Sequence, residues 1–182
     1  MRTVKDLGKV VVLMGGTSAE RPVSLKSGQM VLNALLASGV EAIAFDPAEQ
    51  AWDTLIAAQV DCAFIALHGR FGEDGTVQGA LEVLGVPYTG SVLGSALAMD
   101  KLRSKQVWLA QGLPTPAFVL LQPDTDLHAV AAQLGFPIMV KPASEGSSIG
   151  MSKVHDVTAL SAAYTLAAKY DPVVIAERCI VG

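Results

Sequence analysis

Short apolar runs alternate with segments of helical periodicity along the chain, and this alternation constrains its fold more than any other feature. In the first half, residues 9–14, 40–45 and 62–67 have the pattern of buried strands. Residues 22–37 form a helical segment between the first two, and a further helix is indicated from Val77 onward. Strands that alternate with helices predict parallel β units with right-handed connections.

Composition narrows the class of protein. Of the 182 residues, 51% are hydrophobic, 16% are charged and only 5% are aromatic, which predicts a globular core of small aliphatic side chains. The formal net charge of −4 excludes a nucleic-acid binder that works by bulk positive charge. No run approaches the roughly 20 apolar residues of a membrane helix. We therefore expect no membrane partner and a cytoplasmic location.

The character of the chain changes between Gly90 and Asp100, where small residues lead into a helix capped by Asp100. After residue 116 the predicted order is strand, helix, strand, glycine loop, strand, helix, strand, so this half returns to its sheet by two helices. We place a boundary near Ser91 and predict two domains, residues 1–91 and 92–182. The chain ends soon after an apolar strand, which we interpret as truncation.

The strongest indication of chemistry is the segment KPASEGSSIG at residues 141–150, in which a lysine at a strand end precedes a loop of small residues. Backbone N–H groups of such a loop can bind phosphate oxygens, and the lysine adds a positive charge. The alternative is an exposed hairpin turn, which also favours Gly and Ser. The chain contains neither a Walker A motif nor G-x-G-x-x-G.

Residues 146–150 also fit G-x-S-x-G, the nucleophile elbow of α/β-hydrolases, with Ser148 as the nucleophile. An elbow leads directly into a helix, whereas residues 151–154 predict a strand. His155 is also too near in sequence to return as the base of a triad. A hydrolase is therefore the weaker interpretation.

A second group of polar residues follows the first and third strands. Glu20 lies in the loop after the first strand and His68 directly after the third, at the edge where open α/β sheets bind ligands. Glu20 could face an ammonium group there, or it could favour the start of the next helix, and His68 could be structural. We interpret Asp74 as a helix cap and Lys101 as part of a solvated helix face.

Taken in order, these segments resemble the D-alanine:D-alanine ligase family, ATP-grasp enzymes of bacterial cell-wall synthesis. The motifs are GGTSAER at 15–21, ALHGR at 66–70, GEDGT at 72–76, YTG at 88–90, MDK at 99–101, VKP at 140–142 and EGSSIGM at 145–151. The resemblance implies a Rossmann-like N-terminal domain with a parallel sheet, followed by the central α+β subdomain of an ATP-grasp fold. It also implies that the family's C-terminal catalytic domain is absent from this chain.

The resemblance assigns ATP-binding roles to residues of the second half. Lys101 and Lys141 would contact the phosphates of ATP, and the loop around Ser147 and Ser148 would fold over them. The adenine would be held by the strand end and hinge that contain Glu177, Arg178 and Ile180.

It assigns the amino-acid substrate to the first half. Glu20 would receive the ammonium group of the first D-alanine, and His68 would line the D-alanine site. Ser147 would join the network of Glu20, so Glu20 and Ser147 are the expected catalytic residues.

The implied reaction joins two D-alanines to D-alanyl-D-alanine through an acyl phosphate, for peptidoglycan precursor synthesis. It uses ATP and Mg²⁺, with no metal ligand in this chain, and the family's dimer contacts imply a homodimer through the N-terminal domain. The alternatives are another ATP-grasp carboxylate–amine ligase or, for the chain as it stands, a non-catalytic nucleotide-binding or dimerisation module. We expect the 182-residue chain alone to be inactive as a ligase.

Overall fold

The computed structural model describes residues 7–180, and its contacts divide the chain into two compact units, Met1–Ala96 and Leu97–Gly182. The predicted boundary near Ser91 falls directly before a short helix, Val92–Met99, which crosses this division. Each unit has hydrophobic clusters of its own.

The first unit contains a parallel three-stranded sheet with strand order β2-β1-β3, which confirms the predicted parallel pairing. Tyr88 adds a parallel bridge to Ala63 at the edge of this sheet. Two short helices, α2 and α4, were not predicted. The elements are β1 (Lys9–Leu13), α1 (Arg21–Ala37), β2 (Glu41–Phe45), α2 (Trp52–Ala57), β3 (Cys62–Ile65), α3 (Thr76–Leu84) and α4 (Val92–Met99).

The central strand β1 is buried on both faces, as its unbroken apolar sequence predicts. Val11 and Leu13 pack into one cluster with residues of α2 and α3. Val12 packs on the other face, together with Met14 and residues of α1. Because side chains alternate along a strand, β1 alone anchors helices on both sides of the sheet.

Gly28 in α1 allows this helix to lie directly on the end of β1. A Cβ atom added at residue 28 would lie 2.4 Å from Cβ of Met14, a distance that no real contact tolerates. Gly79 in α3 is the opposite case, because a Cβ added there meets no atom within 4 Å. Close packing therefore requires a glycine at position 28, whereas a larger residue fits at position 79.

We predict opposite effects for the same substitution at these two sites. Gly28→Ala should destabilise the chain by about 1 to 3 kcal/mol because of overpacking. Gly79→Ala should stabilise it by up to about 1 kcal/mol, since alanine is the better helix former. Urea unfolding of both variants measures the difference, and equal shifts of the same sign would contradict the close packing of α1 on β1.

The second unit contains a four-stranded sheet with strand order β4-β7-β5-β6, in which every neighbouring pair is antiparallel. This is the α+β unit that the resemblance implied. A 3₁₀ turn, Val157–Ala159, precedes the last helix. The elements are α5 (Lys101–Ala110), β4 (Phe118–Leu121), α6 (Leu127–Leu134), β5 (Ile138–Pro142), β6 (Ser152–Val154), α7 (Leu160–Ala167) and β7 (Val174–Arg178).

Helices α6 and α7 connect strands that run in the same direction but are not neighbours. Helix α6 links β4 to β5 with β7 between them, and α7 links β6 to β7 with β5 between them. Alternating strands and helices therefore produce parallel connections here as well. The strand that enters between each connected pair makes the hydrogen-bonded ladders antiparallel.

The two faces of this sheet have different partners. Residues of even number on β5 and β7, such as Val140 and Ala176, pack with α6 and α7 in the main hydrophobic cluster. On the opposite face, Ile175 packs with Leu102 of α5 and with Ala143. The alternation of side chains places Lys141 and Glu177 on this second face, with Ile175.

Candidate nucleotide-binding site

A cavity of about 300 Å³ lies where α5 faces this side of the sheet. It brings together three of the residues that sequence analysis assigned to ATP, namely Lys101, Lys141 and Glu177. Its remaining lining residues are Ala98, Ser104, Lys105, Trp108, Thr115 and Pro116.

The spacing of residues on α5 and the register of the β5–β7 ladder bring the charged side chains of this cavity together. Lys101 and Lys105 are four residues apart on α5, so both side chains lie on one face of the helix. In the β5–β7 ladder, Glu177 stands opposite Met139, and Lys141 stands opposite Ile175. Lys141 and Glu177 are therefore diagonal cross-strand neighbours, a separation that long side chains bridge easily.

The Glu177 carboxylate binds two lysines, one with each oxygen. Its Oε2 lies 2.9 Å from Nζ of Lys105, and its Oε1 accepts a hydrogen bond from Nζ of Lys141. Burial opposes ionisation of this carboxyl group, but the hydrogen bonds and charges of Lys141 and Lys105 outweigh burial and lower the pKa of Glu177. The carboxylate is therefore ionised at neutral pH.

Lys101 is directed into the site, so its interpretation as part of a solvated helix face is wrong. Its Nζ donates to the carbonyl oxygens of Ala143, at 3.3 Å, and Glu145. Burial, together with the nearby charge of Lys141, lowers the pKa of Lys101. This ammonium group is thus partly desolvated and lies beside the start of the glycine loop.

The lining of the cavity has an excess of positive charge. Lys101, Lys105 and Lys141 contribute three positive charges and Glu177 contributes one negative charge, which leaves a formal excess of two. Positive charges in a partly desolvated cleft attract anions more strongly than the same charges in water. The cavity therefore suits an anionic group with several oxygens, such as a polyphosphate.

The glycine loop connects β5 to β6, which are antiparallel neighbours, so the loop is the turn of a β-hairpin. The backbone N–H of Ile149 donates to the carbonyl of Gly146 at 3.0 Å, and the two residues between them, Ser147 and Ser148, have φ of 48° and 59°. Non-glycine residues in this left-handed region are uncommon and cluster at functional sites. The prediction of a hairpin turn is thus confirmed, and a turn of this kind is compatible with phosphate binding.

The same geometry disfavours the hydrolase elbow. The segment after Ser148 leads into the strand β6 (Ser152–Val154) and not into a helix. A nucleophile elbow needs a helix directly after the serine.

Both ends of the loop are fixed to the body of the second unit. Asp171, which is buried, accepts hydrogen bonds from the N–H groups of Ser144, at 2.8 Å, and Val173, at 2.9 Å. At the other end, a Cβ added at Gly150 would lie 2.6 Å from the ring of Tyr170. The tip with Ser147 and Ser148 is exposed. The loop therefore has firm anchors and an accessible tip.

Four of the predicted ATP-binding residues do not line this cavity. Ser147 and Ser148 lie at the loop tip, and Ile180 is 66% exposed. The Nε atom of Arg178 donates to the carbonyl of Leu134 at 2.8 Å, at the end of α6. Their roles in nucleotide binding stay predictions.

Sequence reasoning missed Lys105. It is 3% exposed and binds Glu177, so it belongs to the site as closely as Lys141 does. Its spacing from Lys101 was the available signal, because residues four apart share a helix face. The sequence did not show that this face turns inward.

In the first unit, Ser18 connects the two predicted substrate-binding residues. Its Oγ donates to the backbone carbonyl of His68 at 2.8 Å and accepts from the backbone N–H of Glu20 at 3.2 Å. A Cβ added at Gly69 would lie 2.9 Å from Oε2 of Glu20, so this carboxylate lies against the residue that follows His68. The structure therefore brings Glu20 and His68 into one cluster at the carboxyl edge of the sheet.

The contacts of these residues also test their alternative structural roles. Glu20 occupies the N-cap position of α1, yet its side chain makes no capping hydrogen bond. Nε2 of His68 lies 3.2 Å from Oγ of Ser27, on the same helix. The N-cap of α3 is Gly75 and not the predicted Asp74. Asp74 lies one residue earlier and accepts the N–H groups of Phe71 and Thr76. Neither carboxylate therefore makes a side-chain hydrogen bond from the N-cap position of its helix.

The described residues contain no group of three or more His, Cys, Asp or Glu side chains that could hold a metal ion. Among residues 7–180 there is also no helix whose length and apolar character would let it cross a bilayer.

A parallel sheet in the first unit and an antiparallel α+β sheet in the second are the architecture of the ATP-grasp ligase class. The solved structures with this fold include a D-alanine–D-alanine ligase from Bacillus anthracis, with a TM-score of 0.86, 37% identity and coverage of 96% of this chain and 58% of that one. The same enzyme complexed with ATP gives a TM-score of 0.83, 36% identity and coverage of 96% and 60%.

Sequence comparisons specify the family. Family models described as D-ala D-ala ligase N-terminus and C-terminus match residues 44–91 and 107–182. A D-alanine–D-alanine ligase of Nitrosospira multiformis is 57% identical over 97% of this chain, and one of Azoarcus sp. is 60% identical over 96%. The chain spans 58% of the length of both relatives. It belongs to the D-alanine–D-alanine ligase family.

The lowered pKa of Glu177 makes its contribution to stability dependent on pH. A carboxylate whose pKa is depressed on folding stabilises the folded state above its ordinary value near 4.5, and this contribution is lost as the pH falls through the folded value. We predict that Glu177→Gln lowers the free energy of unfolding at pH 7 by about 1.5 to 3 kcal/mol. The deficit relative to the unmodified chain should shrink below pH 4.5.

Urea unfolding between pH 3 and pH 7 measures this deficit. Glu41→Gln is the matched control, because the side chain of Glu41 is 71% exposed and its Oε1 lies 3.9 Å from Nζ of Lys9, at the limit of an ion pair. It should change stability little at any pH. A deficit for Glu177→Gln that stays constant with pH would contradict the proposed ion pairs.

Proposed function

We propose that the full-length protein joins two D-alanines to D-alanyl-D-alanine at the expense of ATP, through an acyl phosphate. The observation that carries this proposal is the cavity in which three lysines and one carboxylate leave a formal excess of two positive charges beside a glycine loop. Membership of the D-alanine–D-alanine ligase family supports the choice of substrates. The alternative, another carboxylate–amine ligase, is not favoured, because the similar proteins described above are D-alanine–D-alanine ligases.

The lysines address the chief electrostatic problem of this reaction. Transfer of the γ-phosphate to a carboxylate brings two anions together, and fixed positive charges that are already in place stabilise that arrangement. We assign Lys101 and Lys141 to the phosphates, since both ammonium groups line the cavity. Backbone N–H groups of residues 146–150 would add donors, and closure of the exposed tip with Ser147 and Ser148 would keep water from the acyl phosphate.

We assign recognition of the first D-alanine to the Glu20 cluster. Glu20 is 9% exposed, and a carboxylate with so little solvent binds an ammonium group strongly. His68 is half-buried in the same cluster and would line the amino-acid site. The catalytic role of Ser147 alongside Glu20 belongs to this proposal.

The family resemblance includes Mg²⁺, which polyphosphates bind readily. The described residues do not fit a cage for this ion, since they meet phosphate charge with ammonium groups and offer no cluster of carboxylates. Neutralisation by this chain therefore rests on its lysines and backbone N–H groups.

We further propose that the protein acts in the cytoplasm, in peptidoglycan precursor synthesis, as a homodimer formed through the first unit. Helices of that unit expose apolar side chains that an interface could cover, with α1 and α3 on opposite faces of the sheet: Met30 of α1 is 65% exposed, Val83 of α3 is 89% exposed and Leu93 of α4 is 69% exposed. Sedimentation of the full-length protein tests the assembly.

An assay of ADP release tests the proposed function as a whole. In the full-length protein, ADP release should require D-alanine and should yield one D-alanyl-D-alanine for each ADP. L-Alanine should not replace D-alanine. ADP release that is independent of D-alanine, or a different ligated product, would contradict the proposal.

We predict that Lys141→Met weakens ATP binding by the full-length protein. Loss of a charged hydrogen bond costs roughly 1.5 to 3 kcal/mol, or about ten- to a hundredfold in the dissociation constant. Lys153→Met is the matched control, since Lys153 is exposed on β6 and lies outside the cavity lining. Calorimetric titration with ATP measures both, and equal affinities would refute a phosphate contact of Lys141.

We predict the reverse pattern for Glu20→Gln. This change should raise KM for D-alanine by at least about tenfold, because an ion pair with an ammonium group is lost. The dissociation constant for ATP should stay within about twofold of the original, since Glu20 belongs to the first unit and the lysine cavity to the second. Equal losses for both ligands would assign Glu20 to fold stability.

A further inference from the structure

Lys105 is a buried cation that the proposed reaction does not yet use. Its side chain is 4% exposed, and its Nζ lies 2.9 Å from Oε2 of Glu177. It also donates to Oγ1 of Thr115 at 2.7 Å and lies 5.1 Å from the ring centroid of Phe118. A lysine held by three partners so far from solvent has a fixed position.

The two oxygens of Glu177 connect this fixed lysine to a more exposed one. Oε2 faces Lys105 and Oε1 faces Lys141, whose side chain is 19% exposed. The contacts therefore form a continuous series from Thr115 through Lys105 and Glu177 to Lys141. Lys105 lies at the buried end of this series, and Lys141, which lines the cavity, is its more exposed end.

Lysine side chains are long and flexible, so fixing one in a single rotamer costs conformational entropy. A lysine that is ordered before its ligand arrives does not lose that entropy on binding, which is how preorganisation raises affinity. Glu177 can order Lys141 only if the carboxylate itself is held in place. Lys105 supplies that restraint, because it binds Oε2 of Glu177 and leaves Oε1 directed at Lys141.

We propose that Lys105 is a positioning residue for nucleotide binding, which acts through Glu177 to hold the ammonium group of Lys141 where a phosphate will bind. The proposal rests on the proposed nucleotide-binding function. Lys105 orders the side chain of Lys141, and the ligand that Lys141 then binds is a phosphate of ATP.

A double-mutant cycle in the full-length protein tests this proposal. Lys105→Met should raise the dissociation constant for ATP by about five- to tenfold in the original background. In a Lys141→Met background the same change should have less than about a twofold effect, because Lys105 acts through the lysine that is already missing. Inorganic tripolyphosphate, which has no base or ribose, should show the same pattern.

The cycle distinguishes this role from others. A direct contact of Lys105 with phosphate, or a general effect of charge, would give the same loss in both backgrounds and would overturn the proposal. So would full affinity for ATP in Lys105→Met. Lys153→Met, which removes a charge from the exposed face of β6, should leave both ligands unaffected.

Thr115→Val provides a second variant that leaves all charges in place. It removes the hydroxyl group that binds Lys105 and should weaken ATP binding in the same direction, again only when Lys141 is present. If Lys105→Met does not fold, as judged by circular dichroism, this variant carries the same cycle. An additive effect of Thr115→Val would overturn the proposal.

Different results would contradict the phosphate site and the positioning role of Lys105. If Lys141→Met leaves ATP binding unchanged, the phosphate site itself is misassigned. If Lys141→Met weakens ATP binding but the effect of Lys105→Met is additive or absent, the site is correct and the positioning role is wrong.

Discussion

The buried carboxylate of Glu177 is the constraint on which the second unit depends. It lies on the sheet face opposite α6 and α7 and binds Lys105 of α5 and Lys141 of β5. A carboxylate or an ammonium group alone in this position would cost several kcal/mol of desolvation, so each is stable only because the others are present. The same group of charges both joins α5 to the sheet and leaves the positive excess that suits a polyphosphate.

The glycine loop depends on this arrangement as well. It begins directly after β5, and Lys101 of α5 binds the carbonyl groups of its first residues. Asp171 holds the N–H of Ser144, while Ser147 and Ser148 adopt left-handed backbone angles at the exposed tip. Firm anchors below a strained, accessible turn are a suitable construction for a segment that folds over a ligand. The loop is thus a hairpin turn that Lys101 and Asp171 hold at its base.

In the first unit, the corresponding constraint is the burial of β1 on both faces. With helices on both sides of the sheet, the loops after the parallel strands gather at the carboxyl edge. Ser18 then joins the backbone groups of Glu20 and His68 by hydrogen bonds. Close packing of α1, which needs Gly28 beside Met14, sets the position of this loop. The cluster of Glu20 and His68 therefore follows from packing as much as from its polar residues.

The sequence by itself determined the parallel sheet of the first unit, the cap at Asp100 and the strand after the glycine loop, because periodicity and capping are local properties. Motif order also indicated the family and three of the nine residues that line the cavity, Lys101, Lys141 and Glu177. Tertiary structure alone decided the antiparallel pairing of the second sheet, the inward direction of Lys101 and the burial of Lys105. These depend on which strand enters between two others and on which face of α5 meets the sheet, and contacts between residues far apart in sequence set both.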